Sequence, residues 1–82
     1  MAVDLAELRM VDAHIAQGTR HVARQKELVD WLRSRGHPTE VAEQLLAVFR
    51  STLRQHRKHR EQMLVERERD PLSPGRGDPA TR

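Results

Sequence analysis

A single break, Arg35-Gly36-His37-Pro38-Thr39, separates two stretches of about thirty residues, neither of which contains proline. Gly36 can take the left-handed conformation that ends a helix, and Pro38 cannot continue one. Both flanking stretches show helical periodicity of their apolar residues. Because a short link between long helices leaves them side by side and pointing in opposite directions, the sequence predicts an all-α helical hairpin.

The first predicted helix runs from about residue 5 to about residue 34. Asp4 suits the N-cap position, and Glu7, three residues later, completes a capping box. Beyond the cap, a seam recurs at alternating spacings of three and four, which is the spacing of a heptad repeat. Its positions, apolar at six of eight, are Leu8, Val11, Ile15, Gly18, Val22, Gln25, Val29 and Leu32.

Gly18 is an unusual residue for the middle of a helix, where glycine costs roughly 1 kcal/mol relative to alanine. Close packing against the second helix would offset that cost. If the hairpin turns at residues 36–38, the pairing of positions places Gly18 opposite His56. The sequence therefore predicts that the missing side chain accommodates an imidazole.

The second predicted helix runs from about residue 40 to about residue 69. Thr39 is its favoured cap, and His37 followed by Pro38 at the first helical position is the alternative. Its seam, again at four-three spacing, is Ala42, Leu46, Phe49, Leu53, His56, Arg60 and Met63. Between residues 41 and 49, seven of nine residues are apolar, which is nearly all the way round the helix. One partner helix covers only one stripe, so further helices are expected to bury the rest.

Formation of a homodimer is the simplest way to bury these additional apolar residues, because small chains bury too little surface to be very stable alone. The sequence thus predicts an antiparallel coiled-coil hairpin that dimerises into a four-helix bundle. The predicted function is self-association and protein–protein interaction without catalysis. The predicted oligomer or partner interface consists of Leu28, Trp31, Val41, Leu45, Val48 and Phe49.

A basic band supports an alternative function as a nucleic-acid-associated accessory protein. From Gln44 to Arg60 there are five basic residues and no acidic ones. Position pairing across the hairpin adds two arginines of the first helix. The candidate phosphate-binding residues are Arg20, Arg24, Arg50, Arg54, Arg57 and Lys58. A solvated charged face explains the same pattern.

Four histidines, at positions 14, 21, 56 and 59, are expected in one half of the hairpin. Imidazoles bind zinc, copper or nickel, and buried imidazoles also sense pH near neutrality. No carboxylate completes a known metal-binding spacing, and Arg57 and Arg60 disfavour a nearby cation. The sequence therefore predicts structural or solvated histidines, with no metal and no other cofactor.

The remaining features argue for a small non-enzymatic domain. No serine, threonine or lysine has a base at catalytic spacing, and a thin hairpin lacks a desolvated pocket. The absence of cysteine, of a signal peptide and of a membrane-spanning run favours a cytoplasmic protein that avoids membranes. Residues 1–69 are predicted to form the hairpin. Residues 70–82, with three of the four prolines, are predicted to be a disordered tail.

The run from His14 to Arg60 resembles small bacterial helical-hairpin proteins of unknown function. The resembling residues are His14-Ile15, Gly18, Val22, Gln25, Leu28, Leu32, Gly36-His37-Pro38-Thr39, Ala42, Leu45-Leu46, Phe49, Thr52-Leu53 and His56. The resemblance implies a bacterial origin and a compact hairpin, and it implies no functional site.

Overall fold

The computed structural model describes residues 4–69, which form two helices joined by a short loop. Helix α1 spans Leu5–Ser34 and helix α2 spans Glu40–Arg69. The two helices pack against each other along their lengths. The predicted all-α, two-helix hairpin is therefore confirmed, whereas the predicted tail at residues 70–82 lies outside the described residues.

Local capping chemistry sets both ends of α1. The Asp4 carboxylate accepts a hydrogen bond from the Ala6 amide at 3.0 Å, and the Glu7 carboxylate accepts one from the Asp4 amide at 3.4 Å. At the other end, the His37 amide donates to the Leu32 carbonyl at 2.9 Å across Gly36, whose φ is +74°. This is a Schellman-type termination, which requires a residue that tolerates positive φ.

Thr39 lies directly before α2, at the N-cap position. Its carbonyl accepts a hydrogen bond from the Glu43 amide at 2.8 Å, and its hydroxyl donates to the Glu43 carboxylate. Of the two caps that the sequence allowed, the structure selects Thr39. His37 and Pro38 precede it in an irregular segment.

Burial follows the two predicted seams. In α1 every position outside the seam is exposed, while the eight seam positions are all buried or half-buried. In α2 the seam leucines and Met63 are buried, and Phe49, His56 and Arg60 are half-buried. The resulting core is thin, because no described side chain is less than 2% exposed. At the open end it is closed by a cluster of Leu8, Val11 and Met63, with Ile15 and Leu64 against it.

Gln25 is the one polar side chain buried in the described seam. Its side-chain Nε2 donates to the Ala42 carbonyl at 2.9 Å, so the amide finds a partner on the opposite helix. An apolar residue at this position would pack equally well with the helices slipped along each other. The hydrogen bond therefore favours one register over the alternatives.

The predicted contact between Gly18 and His56 is wrong. A Cβ built on Gly18 would lie 3.2 Å from the Leu53 Cδ1 atom, so the glycine faces a residue three positions earlier on α2. His56 instead lies beside His14, with ring centroids 5.3 Å apart. Non-helical residues advance about 3.3 Å each, against 1.5 Å in a helix. The loop therefore returns some way along α1 before α2 begins, which shifts the pairing.

Substitution of Gly18 by leucine should lower the free energy of unfolding by about 1–2 kcal/mol net, because overpacking of the seam against Leu53 outweighs the roughly 1 kcal/mol of helix propensity that the glycine costs. Thermal unfolding followed by circular dichroism measures the effect. Ala16→Leu is the matched control, since Ala16 is exposed and its variant should stay within about 0.5 kcal/mol of the wild type. A Gly18→Leu protein as stable as Ala16→Leu would contradict the close approach.

Candidate interaction surfaces

Large apolar side chains are exposed on one side of the hairpin near the loop. Their exposed fractions are 43% for Leu28, 49% for Trp31, 79% for Val41, 43% for Leu45 and 57% for Val48. We refer to these five residues as the apolar face. Helical spacing places the leucines and valines on one side, since Leu28 is two turns from His21 and Leu45 is one turn from Phe49, and the rings of His21 and Phe49 stack. Trp31 follows Leu28 by three residues and adjoins this side on the outer surface of α1.

Trp31 is held in place by the loop that follows it. The Arg35 guanidinium carbon lies 5.1 Å from the centroid of the indole, and the His37 ring stacks on the indole at 6.0 Å. These contacts restrict the rotamers of a large side chain that remains half exposed. An aromatic residue ordered before binding loses less entropy when a partner covers it.

Phe49 differs from the other five predicted interface residues. It is half-buried, and its ring stacks on His21 at a centroid distance of 5.4 Å and an interplanar angle of 23°. It therefore packs mainly within the hairpin, against the opposite helix. Its position in the α2 seam is the sequence signal for this role.

A groove lined by arginines lies between the helices on the other side of the hairpin. Arg50, Arg54 and Arg57 of α2 line it together with Thr19, Val22 and Leu53. We refer to these six residues as the arginine groove. Within residues 4–69, none of the three guanidiniums forms an ion pair or a hydrogen bond. The Thr19 hydroxyl donates to the Ile15 carbonyl at 2.8 Å, so its proton is not available to a ligand in the groove.

Only half of the predicted basic band therefore comes together. Arg20 is two positions from both Gly18 and Val22, about 200° round the helix from each, and so points away from the seam. Arg24 is exposed and does not line the groove, and Lys58 lines a separate depression near the end of α2. The three arginines of α2 could be identified from their spacing along one helix. The two arginines of α1 were included because of a predicted pairing between the helices, and the observed pairing is displaced from it.

Towards the loop, the groove continues into a stretch that contains acidic as well as basic side chains, namely Asp30 and Glu43 with Lys26, Arg33 and Arg50. Arg50 lines this part as well, with Arg33 and Glu43 at its other end. The Arg33 guanidinium lies 3.3 Å from the Glu43 carboxylate and 3.8 Å from the Asp30 carboxylate. Beyond the other end of the arginine groove, Arg60 forms an ion pair with Asp12. Along the line of the groove, the unpaired arginines therefore lie in the middle of the hairpin.

The histidines do not form a single cluster. His14 and His56 are neighbours, His21 lies on Phe49, and His59 borders the depression that Lys58 lines. The His56 Nδ1 atom is buried and has no hydrogen-bond partner among residues 4–69. In the part of the chain that the structure describes, no three metal-binding side chains lie close enough to share an ion.

No protein-family model, curated protein or solved structure matches this chain. The resemblance to bacterial helical-hairpin proteins remains a prediction. Neither α1 nor α2 has a stretch long and apolar enough to cross a bilayer. The apolar face and the arginine groove are therefore the features from which a function can be inferred.

Proposed function

We propose that this protein is a non-enzymatic helical-hairpin module that self-associates through its apolar face and serves in protein–protein interaction. The hairpin is an antiparallel coiled coil, and two copies form a four-helix bundle. The observation that carries the proposal is the exposure of five large apolar side chains on one side of the loop half. The grooves found between and beside the helices are open to solvent, which supports a role without catalysis.

Burial of the apolar face is favourable because it removes five large, exposed apolar side chains from water. Full burial of a valine or leucine side chain contributes about 1.5–3 kcal/mol relative to exposure. A tryptophan already held by Arg35 and His37 adds a rigid contact at low entropic cost. Such a gain matters for a chain whose described core contains no completely buried side chain.

A second copy of the chain is the occupant that we propose. Twofold symmetry presents the same patch on both partners, so one apolar face covers another. On α2 the face extends from Val41 to Val48, which is about 10.5 Å along a helix of about 45 Å. The loop halves therefore form the contact, and the open halves stay available for other proteins.

The oligomeric state of the untagged protein tests the proposal directly. Sedimentation velocity and light scattering, from low micromolar to submillimolar concentration, should show a reversible shift from monomer to dimer. Because association and folding are coupled, the melting temperature should rise with concentration over the same range. A folded monomer whose mass and melting temperature stay constant throughout would refute self-association.

A further inference from the structure

We infer that the arginine groove binds the phosphate backbone of double-stranded nucleic acid without reading its sequence. The groove lies on the opposite side of the hairpin from the apolar face. The inference goes beyond self-association and does not depend on it, because the groove is formed within one chain.

The spacing of the three arginines suits a row of phosphates. Arg50, Arg54 and Arg57 follow one another at four and three residues, so their side chains leave the same face of α2 over about 10.5 Å. One strand of a duplex carries a phosphate every 3.4 Å or so along its axis. The arginine row therefore spans about three phosphates, and each planar guanidinium can donate two hydrogen bonds to one of them.

The three cations are also available for a ligand. No acidic residue lines the arginine groove, and none of the three guanidiniums has an acceptor among residues 4–69. Arg60 and Arg33, which flank the groove, are already paired with Asp12 and Glu43. Carboxylates of the hairpin thus neutralise the arginines on either side of the groove, whereas the positive charges of the three arginines within the groove have no such partner among residues 4–69.

An acidic helix of another protein fits the groove less well than a phosphate backbone does. A docked helix needs exposed apolar anchors, but Val22 is half-buried and Leu53 is buried. Single strands need aromatic side chains for base stacking, but among the described residues neither Trp31 nor Phe49 lines the groove. Phosphate contacts need only cations and hydrogen-bond donors, which the arginines supply.

Fluorescence anisotropy with a labelled duplex of mixed sequence, titrated at several salt concentrations, tests the inference. The wild-type protein should bind at low salt, and log K should fall with log salt at a slope between about −2 and −3, as expected for three phosphate contacts. The triple variant Arg50→Gln, Arg54→Gln, Arg57→Gln should weaken binding more than tenfold and bring the slope towards zero. Glutamine favours helix, and circular dichroism checks that the hairpin persists.

A charge-matched variant separates the groove from net charge. Arg20→Gln, Arg24→Gln, Lys58→Gln removes the same three positive charges from positions outside the arginine groove and should bind within about threefold of the wild type. Equal weakening by both triple variants, or no duplex binding at low salt, would overturn the proposal. Tighter binding to polyglutamate or to a single strand of the same length would overturn the choice of duplex. Measurement at concentrations where the protein is monomeric keeps these results separate from self-association.

Discussion

Replacing Leu46 by alanine should lower the free energy of unfolding by about 2–4 kcal/mol, which is a large part of the roughly 3–5 kcal/mol that the core of so small a domain supplies. Leu46 is 8% exposed, and it lines the seam together with Val29, which is 4% exposed. A two-helix core has no second layer that could relax into the resulting cavity. Urea unfolding followed by circular dichroism, at a concentration where the protein is monomeric, gives the change.

The neighbouring leucine provides the control for this measurement. Leu45 is 43% exposed and belongs to the apolar face, so Leu45→Ala should change the stability of the isolated hairpin by less than about 1 kcal/mol. The two variants have the same composition, the same host helix and the same gain in helix propensity. Equal losses of stability would mean that the seam of α2 has been assigned to the wrong residues.

The parts of the fold that sequence predicted well depend on local chemistry. Asp4 and Glu7 form their capping box within one turn, and Gly36 ends α1 through hydrogen bonds that involve only residues 32–37. The seams are also a local property, because apolar side chains at alternating spacings of three and four must share one side of a helix. Each of these predictions could be made without knowledge of the other helix.

The register between the helices could not be predicted in the same way. It depends on how far the non-helical residues of the loop travel before α2 begins, and helical periodicity carries no information about that distance. An error of about three positions was enough to pair Gly18 with His56 instead of Leu53. The contact between Gln25 and Ala42 was missed for the same reason, although the position of Gln25 in the seam was evident.

The two candidate surfaces differ in how far the sequence specified them. The apolar face follows from the excess of apolar residues beyond the seam, and exposure of Leu28, Trp31 and Val48 agrees with that argument. The arginine groove is formed by both helices, so its prediction from sequence depended on how the helices pair. That prediction included Arg20 and Arg24, which do not line the groove. Surfaces that one helix forms alone are easier to infer than grooves that depend on register.

Replacing Val48 by lysine should abolish dimerisation over the concentration range in which the wild type associates. Val48 is 57% exposed in the single chain, so the hairpin tolerates a lysine there, and lysine favours helix more than valine does. In a symmetric dimer the substitution occurs twice, and each copy places an unpaired charge in an apolar contact. A combined cost of about 3 kcal/mol or more would weaken association by at least 100-fold, which sedimentation equilibrium can measure.

Val65→Lys is the matched control, because Val65 is 46% exposed on the same helix but lies outside the apolar face. It changes net charge and composition identically and should leave the dimerisation constant within about threefold of the wild-type value. Both variants should keep the circular dichroism spectrum of the wild type, so that loss of association cannot be attributed to unfolding. If Val65→Lys disrupts the dimer and Val48→Lys does not, the contact lies at the open half of the hairpin, and the apolar face near the loop is free for a different partner.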